Sequence, residues 1–524
     1  MPRLTFLYAA LAVSLGALTA TASATTGHTG YYTYHFDNDR TGWNPNETSL
    51  TQASVSSSLF ARIRTLGADS VVYAQPLYVP NVIVGGVSHN LVLIATENDT
   101  LYAYDADTGK SVWARSFIQP SRGSTAVSIS SVGNCNQITP TIGISSTPVV
   151  DSSTLTLYLD DKSQLTAGGS TTYHDYVRAI DLTTGHDRVQ PAEVGGSVAI
   201  AGGGTDVFQD QWQQNRAGLA LANGNVYVGF GSSCDENASV THGWLFAYNA
   251  STLKTTAIFN TTTTSADDYL GSIWQATYAP AVGPSGNIYI ATGNGAFDAA
   301  AGGTDFGESV VRLDPSLQVL DYFSPSDEAD QSNNDQDIGS VGVMLVPGTN
   351  PQVAISGIKS GVMYVLYGAN LGGFHSTDQV PQEVTLENAD NSLYGGPAYY
   401  NGSVYWGASN QPMEAFALTT SPSAKLTYTS ETSNSFGGEG GEIPGVSSNG
   451  TKAGTAIVWA TTRPSQGSMI QLYAYNATNL SHMLYAGTVG PWEAEGDAFL
   501  TPTIADGHVF VGGAGYGVAE FGLK

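Results

Sequence analysis

Residues 91–117 read LVLIATENDTLYAYDADTGKSVWARSF, and this stretch decides the fold class. Two alternating runs, LVLIAT and TLYAY, are joined by a tight turn at residues 97–99, and a polar turn leads into a third run, SVWARSF. Asp105 can cap the polar turn by accepting bonds from backbone N–H groups two residues on, and Gly109 suits a positive φ there. The pattern predicts three consecutive antiparallel strands.

Shorter copies of this motif recur in order along the chain, which is the mark of a repeat architecture. The large residue before each turn is Tyr104, Ile180, Tyr248, Leu313, Leu366, Phe416, Tyr475 and Phe521. Their mean spacing is about 60 residues, somewhat more than the ~40–50 residues of common propeller blades. We therefore predict an all-β, eight-bladed β-propeller of four-stranded antiparallel blades. Seven blades, a two-sheet sandwich or a pair of β domains are the alternatives.

The two ends of the repeat region suggest how the ring closes. The last copy of the motif ends at Lys524 with no sequence left for a fourth strand. We expect an N-terminal strand near residues 58–66, SLFARIRTL, to supply the outer strand of the final blade, because closure removes two sheet edges. Residues 25–524 then form a single propeller domain.

The N-terminus predicts secretion. Residues 1–24 combine a positive residue, Arg3, with an apolar run and a small-residue cleavage site at residues 22–24, as in a secretory signal peptide. In an oxidising, extracellular compartment the two cysteines, Cys135 and Cys234, are expected to form one disulfide, with two free thiols as the alternative. Nine Asn-x-Ser/Thr sequons suit a glycoprotein.

Charge narrows the choice of partner. The chain has 44 acidic and 18 basic residues, a formal net charge of −26, which repels phosphate backbones and anionic lipid surfaces. We expect no nucleic-acid partner and no membrane insertion. A small-molecule or carbohydrate ligand fits better, bound by a monomer.

The stretch TLYAYDADTGKSVW resembles the repeat of pyrroloquinoline quinone (PQQ) dehydrogenases and of PQQ-like propellers that bind no quinone. A stronger match covers residues 273–372, where GNIYIATGN, NNDQDIGSVGVML and ISGIKSGVMYVL are similar to successive segments of quinoprotein alcohol dehydrogenases. The resemblance implies an oxidoreductase acting on an alcohol or sugar hydroxyl. It places the catalytic base at Asp335 or Asp337 and a quinone-contacting cation at Lys359.

Two departures from that family bear on the cofactor. The adjacent cysteines that cover the quinone in the family are absent. The family also holds calcium with a Glu, an Asn and an Asp; here the strand expected to carry the Glu reads GGSTTYHDYVRAID, and Ser272 stands where the Asn is expected. The metal ligands are therefore unknown. PQQ with calcium and no cofactor both remain open.

Loops that precede the inner strands should converge at one end of the channel. They bring together further candidate ligand-binding residues, namely Arg216, Trp274, Gln275, Glu439 and Glu442. Trp274 could stack on a quinone or a sugar face, or serve only in packing, and the two glutamates could form a carboxylate pair for glycoside or proton-abstraction chemistry. The alternative function is a cofactor-free propeller that binds glycans or proteins, or acts as a lyase or cyclase, because one fold hosts many functions.

Overall fold

The computed structural model describes residues 28–386, 393–437, 442–462, 466–494, 499–513 and 515–524. Its strands form eight antiparallel sheets arranged as the blades of a β-propeller. The eight-bladed prediction is confirmed, and the seven-bladed, sandwich and two-domain alternatives are wrong. Residues 1–24, the predicted signal peptide, lie outside the described residues.

Each blade has four main strands, of which the innermost is named first and the outermost last. Blade 1 comprises Leu77–Val84, Val87–Ala95, Thr100–Asp105 and Ser111–Ser116; blade 2 comprises Val149–Asp151, Thr156–Ala167, Ser170–Asp181 and Ala192–Glu193; blade 3 comprises Ala220–Ala222, Asn225–Ser232, Trp244–Asn249 and Thr255–Asn260; and blade 4 comprises Ala281–Val282, Ile288–Ala291, Val310–Leu313 and Val319–Phe323.

The second half of the ring follows the same plan. Blade 5 comprises Met344–Val346, Val353–Ile358, Val362–Tyr367 and Gln382–Thr385; blade 6 comprises Ala398–Tyr400, Ser403–Trp406, Pro412–Thr419 and Lys425–Ser435; blade 7 comprises Gly445–Ser447, Ile457–Thr461, Met469–Asn476 and Met483–Pro491; and blade 8 comprises Thr503–Ala505, His508–Gly512, Gly517–Leu523 and Phe60–Gly67.

The remaining described elements are short. Additional strands are Trp43–Asn44, Ser124–Ser128, Thr141–Ile142, Ser197–Ala199, Thr205–Val207 and Gln213–Gln214. The α-helices are Gln52–Val55 and Glu328–Asn333, and the 3₁₀ turns are Pro120–Arg122, Ile129–Val132, Ala238–Val240, Gln275–Thr277, Ala299–Ala301 and Ile338–Ser340. Over the described ranges, no helix has both the length and the apolar character needed to cross a membrane.

The repeated sequence motif marks the same structural position in every blade. All eight large residues that precede the motif turns lie in the third strand of their blade. In blade 1 the turn forms as its sequence predicts: the Thr108 backbone N–H donates to Asp105 Oδ1 over 2.8 Å, and Gly109 has a φ of 69°. This local chemistry sets the register of the repeat.

The ring is closed by a strand from the N-terminal side. Phe60–Gly67 pairs antiparallel with Gly517–Leu523 and forms the outer edge of blade 8, with a register shift between Arg62 and Arg64. The first and last parts of the described chain therefore share one sheet.

The hydrophobic core lies between neighbouring blades. Between blades 4 and 5, for example, Tyr289 and Val310 pack with Leu345 and Leu366, all of them buried. Each blade presents one apolar face to the blade before it and the other to the blade after it. The sheets thus need the complete ring to bury both faces.

Residues 31–44, which we call the ring segment, contact the innermost strand of every blade. Backbone or side-chain hydrogen bonds of 2.7–3.1 Å join this segment in order to Tyr78, Val150, Leu221, Val282, Leu345, Tyr399, Val446 and Ile504, which belong to blades 1 to 8. A single short stretch of chain therefore ties all eight blades together at the axis.

Two fully buried polar side chains lie at the centre of the ring segment. His35 donates from Nε2 to the Pro444 carbonyl next to blade 7 over 2.7 Å, and its Nδ1 lies 3.0 Å from the Tyr278 hydroxyl, from which it can accept. Arg40 donates from Nε and Nη2 to the Pro280 carbonyl, next to blade 4, over 3.0 and 2.8 Å. Burial lowers the pKa of His35 to about 4, so its imidazole is neutral at physiological pH.

Candidate functional site

A cavity of about 190 Å³ opens at the end of the channel where the chain enters the innermost strands. Its walls come from loops before those strands and from loops between second and third strands, which lie at the same end of the propeller. The lining residues are Gln137, Arg216, Cys234, Asp235, Trp274, Ala276, Asp335, Asp337, Ser340, Lys359, Tyr394 and Phe499. Loops of at least five blades thus meet at one site.

Five of the residues singled out in the sequence line this cavity: Arg216, Trp274, Asp335, Asp337 and Lys359. They span 144 positions of the chain, counted from the first to the last. The propeller geometry brings them together because each belongs to a loop at the same end of its blade.

Two other candidates do not line the cavity. Gln275 is fully buried below it, where its side chain donates to the Tyr278 carbonyl over 2.8 Å and accepts from the Ala291 backbone over 3.1 Å. Glu442 is 1% exposed and packs against Gly407. Burial holds the pKa of Glu442 well above its usual range. Glu439 lies outside the described residues, so the proposed glutamate pair has no structural description.

Lys359 forms the centre of the charged part of the cavity. Its ammonium lies 2.7 Å from Oδ2 of Asp337 and 3.1 Å from Oδ1 of Asp335, and it also donates to the Asp335 carbonyl over 3.1 Å. Asp337 is fixed further, because Oδ2 accepts from Ser340 Oγ (3.2 Å) and Oδ1 accepts from the Asn294 backbone (3.1 Å). Both oxygens of Asp337 are therefore occupied by donors.

A second carboxyl group supports Asp337 from the protein interior. Glu308 is fully buried, and its Oε2 accepts from the backbone N–H of Ile338, the residue after Asp337, over 2.9 Å. Burial, with a further contribution from the charge of Asp337, holds the pKa of Glu308 well above its usual range. Burial thus favours the neutral form of Glu308, and its bond to Ile338 fixes the backbone beside Asp337.

Aromatic rings and cations alternate along one wall. The rings of Tyr394 and Phe499 stack with centroids 5.6 Å apart at 28°. The Arg216 guanidinium lies 4.8 Å from the Phe499 centroid, and the Lys359 ammonium 5.9 Å from that of Tyr394. Burial alone would lower the pKa of Lys359, but Asp337 and Tyr394 raise it above its ordinary value. The cavity therefore presents two permanent cations beside flat apolar surfaces.

Trp274 supplies another aromatic surface and is held rigidly. Its ring lies directly against the backbone at two glycines: a Cβ added at Gly231 or at Gly293 would stand 3.2 Å from it. The side chain is 8% exposed, and the exposed part belongs to the cavity. Glycine at these two positions allows the close approach that fixes the ring.

The predicted disulfide is confirmed, and it lies at this site. Cys135 and Cys234, 99 residues apart, join a loop before blade 2 to a loop within blade 3, and Cys234 lines the cavity. The next residue, Asp235, lines it as well. Sequence reasoning missed Asp235, although its position directly after a cysteine paired across two blades could have marked it.

Several loops that form the cavity have backbone in the left-handed region. Gln275, Ala276 and Thr277 follow Trp274 with φ values of 49°, 44° and 73°, although none is glycine. Cys234, Asp235 and Asp335 also have φ between 52° and 56°. Described residues that do not line the cavity, such as Asn81 and Leu253, share this conformation. The run of three consecutive residues after Trp274 is unusual, because each such non-glycine residue costs about 1–3 kcal/mol.

The described lining of the cavity does not fit calcium. Ca²⁺ requires six to eight oxygen ligands, whereas Lys359, Ser340 and a backbone N–H already occupy the Asp337 carboxylate. Within the part of the chain that the structure describes, no group of three or more His, Cys, Asp and Glu side chains is arranged to hold a metal ion. The ammonium of Lys359 supplies the positive charge at this point.

Comparison with known proteins places the fold. No protein-family model and no curated protein matches the sequence. Among solved structures, the chain resembles a quinohemoprotein alcohol dehydrogenase from Comamonas testosteroni at 15% identity and a TM-score of 0.58, covering 95% of this chain and 81% of that one. A quinohemoprotein alcohol dehydrogenase from Pseudomonas putida HK5 is 15% identical, with a TM-score of 0.57, and the match covers 94% of this chain and 80% of that one. A europium-containing methanol dehydrogenase is 12% identical, with a TM-score of 0.56, and the match covers 94% of this chain and 98% of that one. At these identities the likeness concerns the fold.

Proposed function

We propose that this protein is a quinone-dependent oxidoreductase that oxidises an alcohol or a sugar hydroxyl in the cavity at the channel end. The observation that carries the proposal is the meeting of Arg216, Trp274, Asp337 and Lys359, together with a disulfide, around one cavity. The fold shared with quinohemoprotein alcohol dehydrogenases supports it.

The cavity walls suit PQQ, which is a planar tricarboxylate, without calcium. Trp274 offers a fixed aromatic surface and Cys234 a sulfur surface, and both line the cavity. Arg216 and Lys359 would hold the carboxylate and carbonyl oxygens, since both cations remain charged at physiological pH. When bound, the quinone would supply the acceptor for the hydride that leaves the substrate carbon.

The protein side chains would do the remaining work. The rigid Trp274 ring and the disulfide restrict the ligand to one plane, so its orientation is set before substrate enters. Lys359, fixed by Asp335 and Asp337, would stabilise negative charge that develops on an oxygen at this wall. A carboxylate of the cavity would accept the proton of the substrate hydroxyl.

A second candidate function is a cofactor-free propeller that binds a glycan or a protein, or acts as a lyase or cyclase. One observation favours it: the carboxylates predicted to serve an enzyme of this type are paired with Lys359 instead of being open to a metal ion. Aromatic surfaces beside charged groups also suit a sugar ring. A glycan array on the purified protein tests this candidate.

The oxidoreductase proposal predicts turnover that needs PQQ and no calcium. The purified protein is incubated with PQQ in EDTA or in CaCl₂, and reduction of an artificial electron-accepting dye is followed with primary alcohols and aldoses. We expect equal rates in both buffers. Replacing Trp274 by leucine should raise the PQQ concentration for half-maximal rate by about 10-fold, because it removes the stacking surface.

Trp113→Leu is the matched control, since Trp113 lies on the outer strand of blade 1, where its Nε1 donates to the Leu182 carbonyl. That variant should keep the wild-type PQQ dependence. Absence of dye reduction by the wild type in both buffers would reject the oxidoreductase and leave the glycan-binding candidate.

A further inference from the structure

We propose that Asp235, a residue outside the Asp-x-Asp stretch, is the proton acceptor of the site. The inference rests on the proposed function and assigns one of its steps. Among the described residues, three carboxylates line the cavity, those of Asp235, Asp335 and Asp337. Their hydrogen bonds and exposure separate their roles.

Asp337 is poorly suited to accept a proton. Its Oδ2 receives the Lys359 ammonium at 2.7 Å and Ser340 Oγ at 3.2 Å, and its Oδ1 receives the Asn294 backbone N–H at 3.1 Å. Both of its oxygens already accept hydrogen bonds, so neither is free to accept one from a substrate hydroxyl. Asp337 therefore anchors Lys359.

Asp335 is exposed to solvent. Its side chain is 74% exposed, and Oδ1 pairs with Lys359 at 3.1 Å. A side chain this exposed is solvated, so its oxygens face water and Lys359 rather than an enclosed substrate. Asp335 also serves Lys359, at the rim of the cavity.

Asp235 differs from both. One of its oxygens, Oδ1, accepts from Ser232 Oγ, and the same hydroxyl receives the Asp235 backbone N–H over 2.9 Å. No described residue donates a hydrogen bond to Oδ2, and that atom is not buried. The side chain is thus fixed through one oxygen and presents the other to the cavity. A substrate hydroxyl would be its natural donor.

The surroundings tune this carboxyl toward proton exchange. Burial raises the pKa of Asp235 to about 6; the bond from Ser232 opposes the rise, the charges of Asp337 and Asp335 add to it, and Lys359 opposes it. Among the described residues, the other charged group lining the cavity is Arg216. A base with a pKa near the working pH is the most effective proton acceptor.

The proton and the hydride of the substrate would leave in one step. The O–H bond of the substrate hydroxyl would break and its proton would pass to Oδ2 of Asp235. The carbon–oxygen double bond would form as the hydride leaves the same carbon, and a quinone held by the cavity would supply the two-electron acceptor. Asp235 then releases the proton to solvent past the exposed rim at Asp335.

The test compares Asp235→Asn with Glu236→Gln, both in the full-length protein with added PQQ. Asparagine at position 235 retains an acceptor for Ser232, so we expect the variant to fold. The control residue, Glu236, is an exposed carboxylate on the same loop and does not line the cavity. We expect Asp235→Asn to lower kcat about 10²- to 10⁴-fold, with PQQ affinity unchanged. The rise of wild-type kcat with pH through about 6 should persist in Glu236→Gln and vanish in Asp235→Asn.

A second readout does not depend on turnover. Infrared difference titration of protein labelled with [4-¹³C]aspartate should show several carboxyls titrating near pH 6, because burial raises the pKa of Asp39, Asp175 and Asp305 to about 6 as well. Subtracting the Asp235→Asn titration from that of the wild type should leave the band of one such carboxyl, and Glu236→Gln should keep that band. Retention of this carboxyl band or of kcat in Asp235→Asn, in a wild type that turns over, overturns the assignment of Asp235 alone. A wild type without turnover overturns the proposed function as well, so the two failures are distinguishable.

Discussion

Replacement of Lys359 by methionine is expected to lower the free energy of unfolding by about 3–5 kcal/mol and to abolish dye reduction. The Lys359 and Asp337 side chains are only 11% and 5% exposed. Removing one member of such a buried pair leaves the other charge without compensation, which costs about that amount. Activity is lost because the cation that would stabilise developing negative charge is gone.

Two further variants separate the effect of the Lys359–Asp337 ion pair on stability from the effect of side-chain volume. Lys359→Arg keeps the charge and should retain most of the stability. The double variant Lys359→Met with Asp337→Asn removes both charges and keeps an acceptor for the Asn294 backbone N–H, so it should be more stable than Lys359→Met alone. Urea unfolding followed by far-ultraviolet circular dichroism measures all three. If Lys359→Met proves as stable as the wild type, the buried ion pair does not contribute to stability as we expect.

Replacement of Arg40 by methionine should destabilise the whole propeller, again by about 3–5 kcal/mol. Arg40 is fully buried and donates to the Pro280 carbonyl, to Thr33 Oγ1 and to the carbonyls of Tyr34 and Asp37 over 2.8–3.0 Å. Methionine fills similar space but leaves these acceptors without their donor. Because the ring segment contacts all eight blades, the loss should lower the stability of the entire domain in one transition.

Arg122→Met is the matched control for Arg40→Met. Arg122 is exposed in a short 3₁₀ turn, and its side chain makes no hydrogen bond or ion pair with the described residues. Its replacement should change the unfolding free energy by less than about 0.5 kcal/mol. Equal stability of the two variants would show that the ring segment does not hold the blades together.

The fold was predictable from sequence because its repeat contains a turn that forms through hydrogen bonds between residues close in the sequence. An Asp or Asn turn after an alternating strand, as at Asp105, needs no distant partner to form. The ring segment has no such pattern: its residues are irregular in conformation, and its bonds run to strands up to 460 positions away, as from Asn44 to Ile504. No local rule identifies a segment whose partners are spread over the whole chain.

The site was predictable only in part, for a related reason. Trp274 and Gln275 are adjacent, yet the first lines the cavity and the second is buried beneath it. The left-handed turn that begins at Gln275 is made by non-glycine residues, so no glycine in the sequence predicts it. Asp235 was missed because its importance depends on the disulfide at Cys234, which positions its loop against another blade.

Binding of a planar quinone in the cavity without a metal ion can be measured directly by calorimetric titration of the purified protein with PQQ in the presence of EDTA. We expect saturable binding of one PQQ per chain, unchanged when EDTA is replaced by CaCl₂ and weakened in Trp274→Leu. No binding, or binding that appears only with calcium, would contradict it.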